Sequence, residues 1–415
     1  MTTISQFRKE HELMPNRVRE VLLVSSQYDA FVLEEDGHLT EQIFVEYKSL
    51  SLSSAPRFTH VTDRDDALSL LMKRRFDLVL CVAREASADL VKFGRDIKAI
   101  QPKQPVVVLG FESANLAQIN LPENRDAIDA MFIWNGDAKI LLAIIKHLED
   151  RANVDNDIGI MGVRVILVVE DSIRYFSSFL AALYPELMKQ SQSLFSEGIN
   201  RLRRLLRMRT RPKILHANNF EEAMAIYQKY EPYLLAVISD VGFPRAGKLD
   251  RQAGLALVEK IRAGHPDMPI LLQSAERDYS DQADDLNVLF VDKSSHALLQ
   301  KVRNFLVDYL GFGPFTFRLP NGKVVGKAAD IREFADRIKT VPAASLEYHT
   351  HNNHISNWLM ARSEYELAEI LRRQQVQDFD TVEDIREFLL QVLQALFRQS
   401  KQGVITDFPS SKHFA

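Results

Sequence analysis

The chain has 415 residues, a length that allows two to four domains. Its composition is that of an ordinary globular protein, and its net charge of -4 gives no reason to expect general nucleic-acid binding. The single cysteine, Cys81, excludes an internal disulfide, and no apolar stretch reaches the ~18 residues that span a bilayer. Because Met1–Lys9 is polar and no signal peptide is visible, the sequence predicts a cytoplasmic protein without membrane contacts.

Short apolar runs alternate with helical patterns over most of the chain, after a polar N-terminal arm (1–15). The alternation predicts two doubly wound, five-stranded parallel sheets, one in residues 16–150 and one in 163–312. Residues 151–162 are polar with two glycines and are predicted to be a linker. The strands are predicted at Val21–Ser25, Phe58–Val61, Leu78–Val82, Val106–Gly110, Ala130–Trp134, Val165–Val169, Lys213–Ala217, Leu234–Ser239, Pro269–Gln273 and Val288–Val291.

The second sheet region carries an insertion at 185–211, predicted to be helical and rich in arginine from Arg201 onward. Three interpretations stay open for its charges: a solvated helix face, a contact to an acidic partner surface, or RNA or DNA binding.

The last part of the chain has a different pattern from the two predicted sheet regions. Pro320-Asn321-Gly322 lies between two short apolar runs and predicts a hairpin. Asp330, Ser363 and Thr381 each begin a capping-box pattern and predict three helix starts. Residues 313–400 are therefore expected to form a small, mostly helical α+β domain, followed by a tail (401–415).

Polar residues follow four strands of the second predicted sheet. Glu170 and Asp171 follow the first, Asp240 ends the third, Ser274 follows the fourth, and Lys293 follows the fifth. Because the carboxyl ends of parallel strands share one edge, where ligands bind, these side chains should lie together. Clustered carboxylates hold Mg²⁺, and a carboxylate can also accept a phosphoryl group.

This order of residues resembles the receiver domain of two-component response regulators. The resemblance implies that Asp240 accepts the phosphoryl group, that Ser274 and Lys293 contact it, and that Phe290 is the switch aromatic. It implies Mg²⁺ bound by Glu170, Asp171, Asp240 and the carbonyl of Gly242. One departure is Ser294, which stands where receivers usually carry a proline with a cis bond, so the loop is expected to be trans or strained.

The receiver resemblance also implies partners. A sensor histidine kinase or a phosphotransfer protein would supply the phosphoryl group, and receiver surfaces would form a homodimer. The chain itself holds no recognisable catalytic module beyond this self-phosphorylation. Nothing in 313–400 resembles a DNA-reading helix-turn-helix, so nucleic acid is not an expected partner.

A second phosphate pattern lies beside Asp240. Residues 242–248 have the glycine and lysine spacing of a P-loop. Leu249 stands where a serine or threonine should hold Mg²⁺, and Pro244 lacks an N–H that such a loop would use. The receiver context therefore explains this stretch better than a nucleotide loop.

The first predicted sheet lacks these residues. Ser25 and Ser26 stand at the place of the acid pair, Val82 or Cys81 at that of the acceptor, Gly110 at that of the hydroxyl and Trp134 at that of the lysine. This region should bind no Mg²⁺ and is predicted to be a pseudo-receiver with a structural role. The acidic stretch 29–37 is predicted to be a solvated helix end.

Three histidines, His349, His351 and His354, allow a metal site or a polar loop that enters a helix capped by Asn353 or Ser356. The absence of a nearby Cys or acid favours the loop.

Residues 28–41, 205–213 and 353–362 resemble the front half of bacterial proteins that fuse receivers to a phosphoenolpyruvate synthase or pyruvate phosphate dikinase-like module. The resemblance implies that the native chain continues beyond Ala415, with Gly403–Phe408 as the lead-in to that module. The main hypothesis is a phosphorylation-controlled signalling module. The alternatives are the regulatory half of an ATP-dependent phosphotransferase and a scaffold of degenerate receivers.

Overall fold

The computed structural model describes residues 11–35, 39–50, 55–84, 88–193, 208–276, 279–295, 297–374 and 376–405. They form a first unit (11–161) and a second unit (163–310), each built on a parallel sheet, and a smaller third unit (311–405). In this described part of the chain, no helix is long and apolar enough to cross a membrane.

The first unit contains a parallel sheet with the strand order β2-β1-β3-β4-β5. Its strands are β1 (Glu20–Val24), β2 (Arg57–Val61), β3 (Leu78–Ala83), β4 (Val106–Gly110) and β5 (Ala130–Ile133). Its helices are α1 (Gln27–Glu35), α2 (Leu39–Ser49), α3 (Arg64–Lys73), α4 (Ala88–Ile100), α5 (Ser113–Ala117) and α6 (Lys139–Met161).

The second unit repeats this arrangement. Its five-stranded parallel sheet has the order β12-β11-β8-β6-β7, which is the order of the first sheet when each set is counted along the chain. Its strands are β6 (Val165–Val169), β7 (Lys213–Ala217), β8 (Leu234–Asp240), β11 (Ile270–Ser274) and β12 (Leu289–Asp292), with a hairpin of β9 (Phe243–Arg245) and β10 (Lys248–Asp250). Its helices are α7 (Ile173–Ser193), α8 (Phe220–Tyr230), α9 (Ala253–Gly264), α10 (Ser280–Asp285) and α11 (Leu298–Asn304), which runs on into a π-helical turn at Phe305–Tyr309.

The third unit begins with an antiparallel hairpin. Gly322, with φ of 82°, provides the left-handed turn residue that the sequence predicts there. The elements are β13 (Phe315–Arg318), β14 (Val324–Ala328), α12 (Ile331–Ile338), α13 (Ala343–His351), α14 (His354–Ala361), α15 (Tyr365–Arg372) and α16 (Val382–Ile405).

The predicted α/β class with two five-stranded parallel sheets is confirmed. All ten predicted strands are present, and no end is displaced by more than one residue. They form because their runs of valine, leucine and isoleucine are buried on both faces, as parallel strands between helices require. In β6, every residue from Val165 to Val169 is fully buried.

The predicted linker at 151–162 is wrong. Residues 151–161 continue α6 without a break, and Gly162 ends the helix in a left-handed conformation with its N–H bonded to Ile158 O at 2.7 Å. Two of the polar residues that suggested a linker are buried: Asn153 and Asp157 are both fully inaccessible to solvent. The first and second units are therefore joined by a long, rigid helix.

The N-terminal arm and the arginine-rich insertion both contact α6. In the described part of the arm, Leu13 is buried, and Met14 N donates to Asp157 Oδ1 at 2.9 Å. Residues 194–207 of the insertion lie outside the described part of the chain. Arg211, at the end of the insertion, is buried, so a solvated face is wrong for this residue.

Arg211 forms a buried ion pair across the two units. Its guanidinium donates to both carboxylate oxygens of Asp150 on α6, at 2.9 and 2.7 Å. The same carboxylate accepts from Tyr184 Oη at 3.0 Å and from Ile214 N at 2.9 Å. A buried carboxylate with four donors is fully satisfied, and the contact fixes α6 against β7 and α7.

Two of the three predicted capping boxes lie at helix starts. Asp330 Oδ1 accepts from the backbone N–H groups of Arg332 and Glu333, and Thr381 and Asp384 bond each other reciprocally. The third is wrong: α15 begins after Glu364, and the Ser363 hydroxyl instead lies 2.8 Å from Thr210 Oγ1.

Candidate functional site

The polar residues of the second sheet meet at its carboxyl edge. Glu170 and Asp171 follow β6 directly, Asp240 ends β8, Ser274 ends β11, and Lys293 follows β12. These four strands are side by side in the sheet, and the residue before Ser274 pairs with Asp240 in the register. The topology thus brings the predicted residues to one place.

The centre of the site is the ammonium group of Lys293. Its Nζ lies 2.6 Å from Glu170 Oε2 and 2.6 Å from Asp240 Oδ2. The side chains of Lys293 and Glu170 are 4% and 0% exposed, whereas that of Asp240 is 14% exposed. The acceptor candidate is therefore the member of this triad that solvent and a phosphoryl donor can reach.

Three carboxylates share the site. Ligand oxygens of Glu170, Asp171 and Asp240 all lie within 4.8 Å of one another, and no other such group of acids, histidines and cysteines occurs among the described residues. Backbone N–H groups hold two of the side chains: Ser172 N donates to Glu170 Oε1 at 3.2 Å, and Val241 N donates to Asp240 Oδ1 at 2.7 Å.

The burial of these acids changes their titration. Burial, opposed by Lys293 and reinforced by Asp240, raises the pKa of Glu170 to about 7. Burial and the nearby charge of Asp240 also raise the pKa of Asp171. Burial alone would lower the pKa of Lys293, but the carboxylates of Glu170 and Asp240 outweigh it and leave that pKa raised. The cluster thus holds more negative charge than one lysine balances, which favours a bound cation.

The backbone at Asp240 is packed against the start of α9. A Cβ on Gly254 would lie 2.2 Å from the carbonyl oxygen of Asp240 and 2.8 Å from Val241 Cα. Only glycine allows this approach, because the contact is with backbone that cannot rotate away. Gly254 therefore fixes the position of the strand end that carries the candidate acceptor.

Sequence reasoning missed two neighbours of the site. Gln273 Nε2 donates to Glu170 Oε2 at 3.4 Å, a long contact. Lys293 Nζ lies 4.6 Å from the centre of the Tyr175 ring. A glutamine inside an otherwise apolar strand was a usable signal for the first, whereas nothing in the sequence marks Tyr175, on the surface of α7.

Other predicted site residues have partners of their own. Ser274 is buried, and its Oγ accepts from Glu276 N at 3.1 Å. Phe290 on β12 is half-buried and packs against the core of the second unit. The carbonyl ligand at Gly242 and the switch role of Phe290 stay predictions. The bond between Lys293 and Ser294 is trans, which was one of the two expected forms.

The P-loop-like stretch forms a hairpin. Its residues lie in β9 and β10, which pair antiparallel around Ala246 and Gly247 with φ of 51° and 74°. A phosphate-binding P-loop would instead wrap its backbone N–H groups around an anion and open a helix. This geometry agrees with rejecting a nucleotide loop.

The carboxyl edge of the first sheet is built differently. Ser25 Oγ lies 3.0 Å from His60 Nε2, and the hydroxyl of Ser26 donates to Asp29 Oδ2 at 2.7 Å. Asp29 also pairs with Arg84 at 2.6 Å and is buried, so a solvated helix end is wrong for this residue. The residues predicted at the other site positions, Cys81, Val82, Gly110 and Trp134, are all buried.

The histidines of the third unit lie on helices. His349 is buried on α13, where its Nε2 accepts from Arg318 N at 2.8 Å and its Nδ1 lies 3.0 Å from His354 Nδ1. Both nitrogens of His349 are therefore occupied by hydrogen bonds, which leaves neither for a metal. Asn353 precedes α14 without a side-chain cap bond, and Ser356 Oγ donates to Asn353 O, so neither predicted cap is made.

A family of unknown function (DUF5752) matches residues 316–415, less than half of the chain. No curated protein matches the sequence. A glucose-galactose binding protein from Geobacillus stearothermophilus is 14% identical, with 66% of this chain and 83% of that chain covered and a TM-score of 0.19. Proximal thread matrix protein 1 from the mussel byssus is 12% identical, with 69% and 95% covered and a TM-score of 0.23. Both TM-scores are too low to support any argument about fold or function.

Proposed function

We propose that the second unit is a receiver in which Asp240 accepts a phosphoryl group in a Mg²⁺-dependent reaction. The observation that carries this proposal is the position of Lys293 Nζ, 2.6 Å from both Glu170 and Asp240 at the carboxyl edge of a parallel sheet. The strand order, 2-1-3-4-5 within each unit, supports a flavodoxin-like arrangement, in which ligands bind at this edge.

The donor set suits Mg²⁺. Three carboxylates offer hard oxygen ligands within 4.8 Å of one another, and Mg²⁺ is commonly held by one or two carboxylates together with phosphate oxygens. Glu170, Asp171 and Asp240 would hold the ion, with the predicted help of the Gly242 carbonyl. When bound, the ion would neutralise charge on the carboxylates and on the incoming phosphoryl oxygens.

Several residues would have separate roles in the phosphoryl transfer. A carboxylate oxygen of Asp240 forms a bond to phosphorus while the bond from phosphorus to the donor breaks, and the leaving group keeps that electron pair. Val241 N holds the other carboxylate oxygen in place. Lys293, already 2.6 Å from Asp240 Oδ2, would pair with the new negative charge. Ser274 would donate its O–H to a phosphoryl oxygen, since its Oγ only accepts in the bond from Glu276 N at 3.1 Å.

The output is proposed to be a change in protein contacts. A phosphoryl group adds about -1.5 to -2 charge next to Lys293, which is enough to bias a two-state contact. Phe290 would report this change to the neighbouring surface, where receivers commonly pair into homodimers. A sensor histidine kinase or phosphotransfer protein would supply the group. The first unit, whose described residues hold no acid cluster at the sheet edge, is proposed to be a pseudo-receiver that serves as a rigid support.

Labelling with acetyl phosphate tests this proposal. The full chain should gain one phosphoryl group in the presence of Mg²⁺, and Asp240→Asn should gain none, because the nucleophile is missing. Asp250→Asn is the matched control, since that acid lies on β10 in the same loop, pairs with Arg245 at 3.6 Å and accepts from Gln252 N at 2.9 Å. Labelling that persists in Asp240→Asn, or that maps to the first unit by mass spectrometry, would contradict the assignment.

A further inference from the structure

A cavity of about 500 Å³ lies between the first and second units. One wall comes from the segment 120–131 and α6, and the other from β7, α7, α8 and the two acids that follow β6, Glu170 and Asp171. Apolar side chains from both units line it, including Leu121 and Ile128 on one side and Phe176 and Ile226 on the other. A space of this size and lining is typical of sites for small organic molecules.

One polar side chain in this cavity has a ring nitrogen without a partner, and a second has only a long hydrogen bond. His147 lines it, is only 6% exposed, and has no hydrogen-bond partner for its Nδ1. Arg151 lies one helical turn further along α6 and also lines the cavity. Its closest hydrogen bond is a long one, 3.5 Å from Nη1 to Asp129 O, and no acid of the described residues pairs with it. A buried nitrogen without a partner is costly, and a ligand that bonds to it removes the cost.

The charges of the cavity favour an anion at this position. Asp129 is already paired with Lys98 at 2.6 Å, and Glu222 with Arg125 at 2.6 Å across the opening between the units. Glu170 and Asp171 also line the cavity, and Glu170 is paired with Lys293 at 2.6 Å. None of these four acids forms an ion pair with Arg151 among the described residues. A carboxylate or phosphate next to Arg151 would gain a charge-assisted hydrogen bond that the free protein does not make.

We propose that this cavity binds a small organic anion, whose carboxylate or phosphate lies against Arg151 and His147 and whose apolar part lies between Leu121, Phe176 and Ile226. The proposal goes beyond phosphoryl acceptance. The cavity also reaches Glu170 and Asp171 of the receiver site, but none of the five side chains that would hold the anion belongs to that site. The anion would bridge the two units, because its head group contacts α6 and its body contacts α7 and α8.

The test is calorimetric titration of the full chain with benzoate and with AMP, using benzamide and adenosine as uncharged counterparts. At least one anion should bind, and its uncharged counterpart should bind about tenfold more weakly or not at all. Preference for benzoate or for AMP would distinguish a carboxylate from a phosphate head group. A formed site should have a dissociation constant well below about 10 mM. If neither anion binds at concentrations up to about 10 mM, the proposal is overturned.

Three variants locate the binding. Arg151→Gln should weaken binding of the anion by about tenfold or more, because the charge-assisted bond is lost. Ala225→Trp should block binding, since Ala225 is an exposed residue of the cavity wall on α8. Arg332→Gln, an exposed arginine on α12 of the third unit, is the control and should bind like the wild type. Equal binding by Arg151→Gln and the wild type would also overturn the proposal.

Discussion

The two sheets have the same strand order, but their carboxyl edges have opposite character. The second edge gathers Glu170, Asp171 and Asp240 around Lys293, whereas the first places Ser25 next to His60. Both sheets are buried to the same degree along their central strands. The comparison teaches that the apolar runs of the strands build the sheet, while one or two residues at each strand end decide whether the edge can do chemistry.

The first edge is also closed by its own contacts. Asp29 accepts from Ser26 and pairs with Arg84, and the Arg84 guanidinium lies 4.6 Å from the centre of the Phe111 ring. Because Arg84 already balances the charge of the Asp29 carboxylate, a bound cation is not needed there. The second edge differs because one lysine faces three acids. A surplus of acid over base, more than the presence of acids, distinguishes the candidate active edge.

The largest effect is expected when the buried contact between the two sheet-containing units is removed. Asp150→Ala leaves the buried guanidinium of Arg211 without its carboxylate, and no other acid of the described residues bonds to it. Removal of one partner of a buried pair costs about 3–5 kcal/mol, so we expect a loss of this size in the free energy of unfolding. Urea denaturation followed by circular dichroism measures it.

Asp155→Ala is the matched control for that experiment. Asp155 lies on the same helix, but it is 68% exposed and pairs with exposed Lys229 at 3.0 Å. Surface pairs contribute about 0–1 kcal/mol. If both variants lost the same stability, the Asp150–Arg211 contact would not be what holds α6 against the second unit.

A smaller effect should appear with acid, because His147 lies between the two sheets. Burial, with smaller effects from His216 and Arg151 against a weak opposite one from Asp150, lowers the pKa of His147 to about 3. The unfolded chain binds a proton at its ordinary pKa of about 6.5, and the folded chain does not. Stability from this group is therefore full above about pH 6.5 and falls as the pH falls toward 3, by about 1.4 kcal/mol per pH unit.

His147→Phe removes this titration with little change in shape, since the ring already packs among Phe132 and Phe176. The variant should lose about 2–3 kcal/mol less stability than the wild type between pH 6.5 and 4.5. Thermal or urea unfolding of both proteins at each pH measures the difference. Parallel pH profiles would mean that His147 titrates normally in the folded chain.

Much of this architecture could be predicted because its signals are local. Buried parallel strands are continuous apolar runs, and an acid or lysine directly after such a run lies at the sheet edge by geometry. The candidate site was therefore predictable down to Glu170, Asp240 and Lys293. The role of Gly254 could not be predicted, because its close contact with Asp240 O depends on how α9 packs.

The parts that could not be predicted depend on partners distant in sequence. Residues 151–161 look like a linker because Asn153 and Asp157 are polar, yet they face the N-terminal arm and the second unit. Arg211 looks like a surface residue until Asp150, in the first unit, is placed beside it. A polar residue in a helix has the same sequence signal whether it faces water or a buried partner.

The smallest effects should come from one glycine in each unit. A Cβ on Gly254 would lie 2.2 Å from Asp240 O, and a Cβ on Gly94, on α4 of the first unit, would lie 2.6 Å from Ala127 O. Because both contacts are with backbone, Gly254→Ala and Gly94→Ala should each cost about 1–3 kcal/mol of unfolding free energy. Only Gly254→Ala displaces the strand end that carries Asp240, so only this variant should also slow labelling by acetyl phosphate. Labelling rates of the two variants are compared at a temperature where both are folded. The comparison distinguishes an effect on the reaction from an effect on stability. Equal slowing in both would mean that the chemistry depends on the stability of the whole chain, and the contrast between the two edges would lose its functional meaning.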